Sequence, residues 1–259
     1  MKLFTIPNIM TLGNLLCGCL GIVLVFEGNL LWASYLIFIA GVLDFLDGFV
    51  ARLLKQHSEI GKQLDSLADM VTFGVLPSFI LFMLQTKKTV LYTSFWMTNA
   101  QKQLQGEDGM YAFIGSLTPY TFYSFLAFAL TLFSALRLAK FNIDTRQSDS
   151  FIGVPTPANA FVVASFPLIL EFNPEYKFLI LNSTFLITYT LIMSYLLISE
   201  IPLFALKFKS FSWGSNQIKY IFLILSVILL VVLQFVAIPL IIFLYIILSV
   251  ISNFLPKNS

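Results

Sequence analysis

The sequence predicts an all-α protein that crosses a membrane several times. Apolar residues make up 58% of the chain, charged residues only 11%, and the mean hydropathy is +0.89. An ordinary soluble domain carries far more charge, so that class is excluded. The net charge of +2 is too small to indicate a nucleic-acid partner.

Apolar segments recur along the chain. A helix that spans the bilayer needs about 20 mostly apolar residues. Eight segments approach this length: 6–27, 30–55, 65–86, 114–139, 155–172, 177–200, 217–234 and 237–255. We therefore expect eight transmembrane helices. They comprise a six-helix core over residues 1–200, a cytoplasmic linker at 201–216 and a C-terminal helix pair within 217–259.

Prolines mark the boundaries of the later segments. Pro155 and Pro157 stand at the entrance of the fifth segment, where proline is tolerated at a helix start. Pro239 favours a chain reversal between the last two segments. One long kinked helix is the alternative there, and it would reduce the count to seven.

The distribution of Lys and Arg predicts the orientation. Loops on the cytoplasmic side carry the excess of these residues. With a cytoplasmic amino terminus, all but four of the 15 basic residues lie on that side. The four exceptions are Lys87, Lys88, Lys102 and Lys177. We expect a multi-pass protein of the cytoplasmic (inner) membrane, with both termini in the cytoplasm and an external loop at 87–113.

Four aspartates interrupt two neighbouring apolar segments. Asp44 and Asp47 lie near the end of the second segment, and Asp65 and Asp69 near the start of the third. Each uncompensated acidic group at the centre of a membrane helix costs about 2.5–3.5 kcal/mol. Residues three or four apart share a helix face, so a tight reversal lets the two pairs face each other. Positive charge must lie between them.

This set of ligands favours hard divalent cations. Oxygen ligands on a rigid frame suit Mg²⁺ or Mn²⁺, with Ca²⁺ as a surrogate. Four carboxylates are enough to bridge two such ions, which then clamp the attacking and leaving oxygens in phosphoryl chemistry. A cation-coupled transporter is the alternative, since transporters also use intramembrane carboxylates. Transporters place them near the bilayer midplane, whereas these cluster near one face, beside Arg52.

The spacing of these residues resembles the motif of the CDP-alcohol phosphotransferases, membrane enzymes of phospholipid synthesis. The pattern D-x2-D-G-x2-A-R-x8-G-x3-D-x3-D is matched at every fixed position between Asp44 and Asp69. The resemblance implies that the four aspartates hold two divalent cations and that Asp69 also acts as the general base. It implies that an alcohol attacks the β-phosphorus of a CDP-linked lipid and that CMP leaves. A homodimer is implied by the resemblance alone.

Other positions are expected to contact the CDP-linked lipid. Gly48 lets a ligand approach the backbone closely, and the resemblance assigns it to the cytidine nucleotide. Arg52 suits bidentate contact with phosphate, although a snorkelling arginine at a helix end is the alternative. The expected set is Asn8, Thr11, Asn14, Gly48, Ala51, Arg52, Gly61 and Lys62. The alternative is that Asn8 only caps the helix and that the Thr11 hydroxyl binds no ligand.

The sequence around the motif resembles the phosphatidylserine synthase branch of the family. The likeness is carried by GKQLDSLADMVTFGVLP at 61–77, IPNIMTLGNLLCG at 6–18, RLAKFN at 137–142 and GVPTPANA at 153–160. Thr72 in place of Ser and Lys140 in place of Arg are departures. The likeness covers residues 5–200. It implies transfer of the phosphatidyl group of CDP-diacylglycerol to L-serine.

Arg137, Lys140 and Asn142 are the candidates to hold the serine. Arg137 and Lys140 are three residues apart, so they can share a helix face and meet a carboxylate. Positive-inside topology is the alternative explanation of both cations. An inositol phosphate or glycerol 3-phosphate acceptor would also need cations here and is the main alternative to serine.

Overall fold

The computed structural model describes residues 3–56, 58–86, 119–144, 150–204 and 213–254. Within these ranges the chain is predominantly helical. The α-helices are α1 (Ile6–Phe26), α2 (Leu30–Leu53), α3 (Glu59–Asp69), α4 (76–86), α5 (Pro119–Ser124), α6 (Ala129–Ile143), α7 (Thr156–Phe172), α8 (Lys177–Ile180), α9 (Ser183–Ile198), α10 (Trp213–Leu233) and α11 (Ala237–Phe254). A π-helical turn (Met70–Val75) joins α3 to α4, and short 3₁₀ segments lie at Phe125–Phe128, Pro174–Tyr176 and Gln234–Val236.

Helices α1 and α2 form an antiparallel hairpin. Thr5 caps α1 by accepting a hydrogen bond from the Asn8 amide (3.4 Å). Asn29 caps α2 by accepting from the Trp32 amide (3.3 Å). Gly28, with φ +78°, supplies the left-handed conformation that the turn between them requires. The hairpin places the start of α1 beside the end of α2.

A second tight reversal leads from α2 into α3. Lys55 adopts a left-handed conformation (φ +53°) directly after α2. Ser58 then caps α3 by accepting a hydrogen bond from the Gly61 amide (3.1 Å). His57, which belongs to the expected reversal, lies outside the described residues. The two ends that carry the aspartates are thereby brought together.

Small residues on α1 let it pack closely along the π turn and the start of α4. The Thr72 hydroxyl donates to the Asn14 carbonyl (3.0 Å). A Cβ at Gly18 would lie only 2.4 Å from that hydroxyl, and one at Gly21 would lie 2.4 Å from Leu76 Cδ2. These contacts advance in the same direction along both helices, so the two run parallel. The missing side chains let the π turn approach the backbone of α1.

Helix α7 lies in the interior of the bundle, with most of its side chains buried. It packs against α2, α6, the π turn and α11. The Phe161 ring stacks on Phe38 (5.3 Å between centroids) and meets Phe73 edge-on (6.3 Å). Gly41 of α2 leaves the room that this ring needs, because a Cβ there would lie 2.3 Å from it. A short helix is thus central to the core.

The expected sixth segment is broken rather than continuous. The first piece, Pro174–Ile180, contains α8, and the second, Ser183–Ile198, is α9. The axes of the two pieces differ in direction by 69°. Asn182 causes the break, since its side chain accepts from the Thr184 and Phe185 amides and starts a new helix.

A short two-stranded ribbon accompanies the helices of this all-α fold. Strand β1 (Ser150–Ile152) pairs antiparallel with β2 (Pro202–Phe204), and Phe151 lies opposite Leu203. The second strand falls inside the segment that the sequence predicted to be a linker, so part of that segment is ordered against the core.

The last two helices form an antiparallel hairpin. The Phe222 and Tyr245 rings lie 5.6 Å apart although 22 residues separate them in the chain. The reversal occurs at Gln234, which has φ +48°. The hairpin docks on β2, because the Tyr245 hydroxyl donates to the Phe204 carbonyl (2.8 Å). Of the two alternatives left open by the sequence, the structure has two helices and not one kinked helix.

Several helices are long and apolar enough to cross a membrane. By length and composition they are Ile6–Phe26, Glu59–Thr86, Phe122–Ile143 and Asn216–Asn253, with the bent pair of α8 and α9 as a further candidate. The last of the four is the C-terminal hairpin and therefore comprises two helices. The protein is an all-α multi-pass membrane protein, and the total of eight spans stays a prediction.

Candidate active site: an aspartate cluster between three helices

Three of the four expected aspartates converge on one point. Carboxylate oxygens of Asp44, Asp47 and Asp65 all lie within 4.8 Å of one another. Asp44 and Asp47 project from one face of α2, and Asp65 projects from α3 across the reversal. Asp69 is not part of this group of three, but its carboxylate lies beside that of Asp44. The four acidic groups form one cluster, the aspartate cluster, with Asp69 at its inner edge.

The aspartate cluster is partly withdrawn from solvent. Asp47 and Asp69 are only 7% and 8% exposed. One oxygen of Asp65, Oδ1, is buried and has no hydrogen-bond partner among the described residues. Buried carboxylates at this separation repel one another unless a cation lies between them. The orphaned oxygen and the all-oxygen donor set therefore fit a hard divalent cation.

Helix α1 supplies hydrogen-bond donors to two of the carboxylates. The Thr11 hydroxyl donates to Asp47 Oδ2 (2.5 Å), and the Asn14 amide donates to Asp69 Oδ1 (3.2 Å). Asn14 Oδ1 is buried and has no partner in the described part of the chain. Thr11 and Asn14, expected as nucleotide contacts, thus orient the aspartates in this structure.

Asn8 differs from its two neighbours on α1. Its side-chain amide donates to the Leu3 carbonyl (2.8 Å), which ties down the start of the chain. Its carbonyl oxygen lies against Gly61, where a Cβ would be 3.1 Å away. Gly61 is therefore a position of close approach between α3 and the start of α1.

The remaining nucleotide candidates lie toward the end of α2 and the start of α3. A Cβ at Gly48 would meet nothing within 4 Å, so open space adjoins the backbone there. Ala51 is half-buried and Arg52 is exposed. Lys62 is exposed and donates from Nζ to the Asn142 carbonyl (2.8 Å).

The three acceptor candidates do not converge. Arg137 is 7% exposed and interacts electrostatically with Asp69. Lys140 instead forms an ion pair with Glu200, beyond the end of α9. Asn142 exchanges hydrogen bonds with the Ser66 hydroxyl on α3 (2.9 and 3.2 Å). Of the three, Arg137 is the one with an electrostatic interaction with a member of the aspartate cluster, Asp69.

Two threonines that contact the site were not among the sequence-derived candidates. Thr156 accepts a hydrogen bond from Arg137 Nη1 (3.1 Å), and Thr72 fixes the backbone at Asn14. Both lie in stretches that carry the family likeness, GVPTPANA and GKQLDSLADMVTFGVLP. Nothing in the spacing of Thr156 indicates Arg137 as its partner, because they lie on different helices.

Comparisons with known proteins identify a matching family and several relatives of this chain. Residues 4–102 match the CDP-alcohol phosphatidyltransferase family. The chain is 36% identical over 152 residues to a CDP-diacylglycerol–serine O-phosphatidyltransferase of Bacillus subtilis, covering 59% of this chain and 69% of that relative. A protein of the same name from Helicobacter pylori is 30% identical over 231 residues, which cover 87% of this chain and 82% of the relative.

Another relative has a different name. The chain is 29% identical over 166 residues to the archaetidylserine synthase of Methanothermobacter thermautotrophicus, covering 63% of this chain and 58% of that protein. The three names share serine-linked lipid products.

Proposed function

Because the chain belongs to the CDP-alcohol phosphatidyltransferase family, we propose that it transfers the phosphatidyl group of CDP-diacylglycerol to the hydroxyl of L-serine. The products are phosphatidylserine and CMP. The observation that carries the proposal is the convergence of three carboxylates beside a fourth, Asp69, which interacts electrostatically with a buried arginine. The choice of serine as the acceptor rests on the names of the relatives.

The residues present fit two divalent cations, Mg²⁺ or Mn²⁺, with Ca²⁺ as a surrogate. Asp44, Asp47 and Asp65 would hold them together with Asp69, and Asp65 has a free buried oxygen for this purpose. Bound cations would neutralise the charge of the pyrophosphate bridge. Thr11 keeps Asp47 oriented toward the site through its hydrogen bond.

Asp69 is the group that takes the proton from the acceptor. The serine hydroxyl oxygen forms a bond to the β-phosphorus while the bond from that phosphorus to the CMP oxygen breaks. The hydroxyl proton passes to the Asp69 carboxylate, and CMP leaves as a phosphate monoester. Asn14 holds Asp69 Oδ1, which fixes the direction of the other oxygen. A general base must first lie within hydrogen-bond reach of the proton it removes, and only then does its pKa affect the rate.

The CDP-lipid lies along the end of α2 and the start of α3. The open space at Gly48 admits the nucleotide to the backbone, beside Ala51. Arg52, exposed at the helix end, and Lys62 are available to phosphate oxygens. Asn8 and Gly61 shape the neighbouring wall, where the two backbones approach each other.

Arg137 is the principal contact for the carboxylate of serine. It is the acceptor candidate that interacts electrostatically with Asp69, beside which the reacting hydroxyl must lie. Lys140 and Asn142 are held by Glu200 and Ser66. They would border the pocket rather than bind the carboxylate directly.

The positive-inside distribution supports a site that opens to the cytoplasm from the inner membrane, with both termini on that side. The six-helix part at 1–200 forms the catalytic unit. The C-terminal hairpin, docked on β2 after the 201–216 segment, is available for packing or for a homodimer contact.

Release of CMP from CDP-diacylglycerol by the purified chain tests the function. With Mn²⁺ or Mg²⁺ present, we expect CMP release to depend on L-serine and to stop on addition of EDTA. Radiolabelled serine, inositol phosphate and glycerol 3-phosphate are compared as acceptors. Turnover with inositol phosphate or glycerol 3-phosphate, and none with serine, would show that the acceptor is not serine. Ion flux in proteoliposomes without CMP release would favour the transporter.

A further inference from the structure

The buried guanidinium of Arg137 has a defined partner and spare donors. Nη1 donates to Thr156 Oγ1 (3.1 Å), whereas Nε is buried without a partner among the described residues. A guanidinium carries five N–H donors in a rigid planar fork. Fixing one edge of the fork therefore fixes the direction of the remaining donors. Arg137 and its partner thus form a unit with unfilled hydrogen-bonding capacity, and its charge interacts with that of Asp69.

Thr156 is itself held firmly by the turn that precedes it. Gly153 has φ +74°, and its amide donates to the Ile201 carbonyl (2.9 Å). The Val154 amide donates to the Leu196 carbonyl (3.0 Å). A side chain at Gly153 would collide with the backbone at the end of α9, since a Cβ would lie 2.7 Å from the nearest carbonyl oxygen. Thr156 follows at the start of α7 and is completely buried.

Resting on the proposed function, we infer that Thr156 is a positioning residue for acceptor recognition. Its hydroxyl holds the Arg137 fork so that the free donors meet the carboxylate of the amino-acid acceptor while the acceptor hydroxyl faces Asp69. Charge alone does not require this arrangement, because a mobile cation would attract phosphate-bearing and carboxylate-bearing alcohols alike. A fixed fork selects a planar carboxylate close to the reacting hydroxyl.

The Thr156→Val variant tests the inference in the full-length chain. Valine keeps the shape and removes the hydroxyl. A hydrogen bond to a charged group is lost, so we expect the KM for serine to rise about ten- to a hundredfold. The KM for CDP-diacylglycerol should stay within about threefold, as expected when a distant interaction is untouched. Thr156→Ser keeps the hydroxyl and should restore the serine KM.

Serinamide, which lacks the carboxylate, serves as the second acceptor. The wild-type chain should prefer serine strongly, and Thr156→Val should lose much of that preference. Thr190→Val is the matched control. Thr190 is also completely buried, but its hydroxyl donates within its own helix to the Leu186 carbonyl (2.8 Å).

Each outcome has a defined meaning. An unchanged serine KM in Thr156→Val, or equal rises in both substrate KM values, overturns the positioning role while the proposed function stands. Failure of Thr156→Ser to recover also overturns it. If the wild-type chain releases no CMP with serine, the proposed function fails and the inference fails with it.

Discussion

The two sides of the proposed site, one acidic and one cationic, are organised differently. The acidic side gathers residues from two consecutive helices at regular spacing, and its members point to one place. The cationic side is a short run on one helix, yet Arg137, Lys140 and Asn142 have three different sets of partners. Helical spacing therefore predicts well which side chains meet across a tight hairpin. It predicts poorly where a helix ends, because each residue there meets a different neighbour.

The largest expected effect is on the acidic side. Asp69→Asn removes the proposed proton acceptor, so turnover should fall about a thousandfold or more. Binding of a CDP-linked lipid, measured by calorimetry or by filter retention, should persist, since the other three carboxylates remain. Glu27→Gln, at the opposite end of α1, is the control and should be active. Full activity in Asp69→Asn would remove the assignment.

Arg137→Ala should have the next largest effect and act on the cationic side. Loss of a buried cation from the proposed acceptor pocket is expected to lower kcat/KM for serine by about a hundredfold. Steady-state kinetics against both substrates is the measurement. A loss confined to CDP-diacylglycerol would instead place Arg137 on the lipid phosphates.

Asn14→Ala sharpens the comparison, because Asn14 was expected to contact the nucleotide and is found beside Asp69. If it orients the base, kcat should fall about tenfold with little change in the KM for the CDP-lipid. A rise in that KM at constant kcat would show that its free carbonyl oxygen binds the nucleotide.

Lys140→Ala should have the smallest effect. Its partner Glu200 is largely exposed, and an exposed ion pair contributes little. We expect kcat/KM for serine to change by less than about fivefold. A loss as large as that of Arg137→Ala would return Lys140 to the acceptor pocket and break the contrast between the two residues. The same assay applies.

The helical parts of the fold were largely predictable, and the exceptions have local causes. A long apolar segment predicts a helix, because a segment that crosses the bilayer must satisfy its backbone hydrogen bonds internally. The break at Asn182 arises from a side-chain cap in the middle of an apolar run. The pairing of Phe151 with Leu203 depends on two segments about 50 residues apart in sequence, which periodicity does not connect.

The sequence by itself determined the membrane class, the acidic motif and the family, because these depend on composition and on spacing along one or two helices. The tertiary structure alone decided that Thr11 and Asn14 support the aspartates, that Lys140 turns to Glu200, and that Thr156 holds Arg137. Each of these contacts joins separate helices, and the packing of whole helices determines which faces meet.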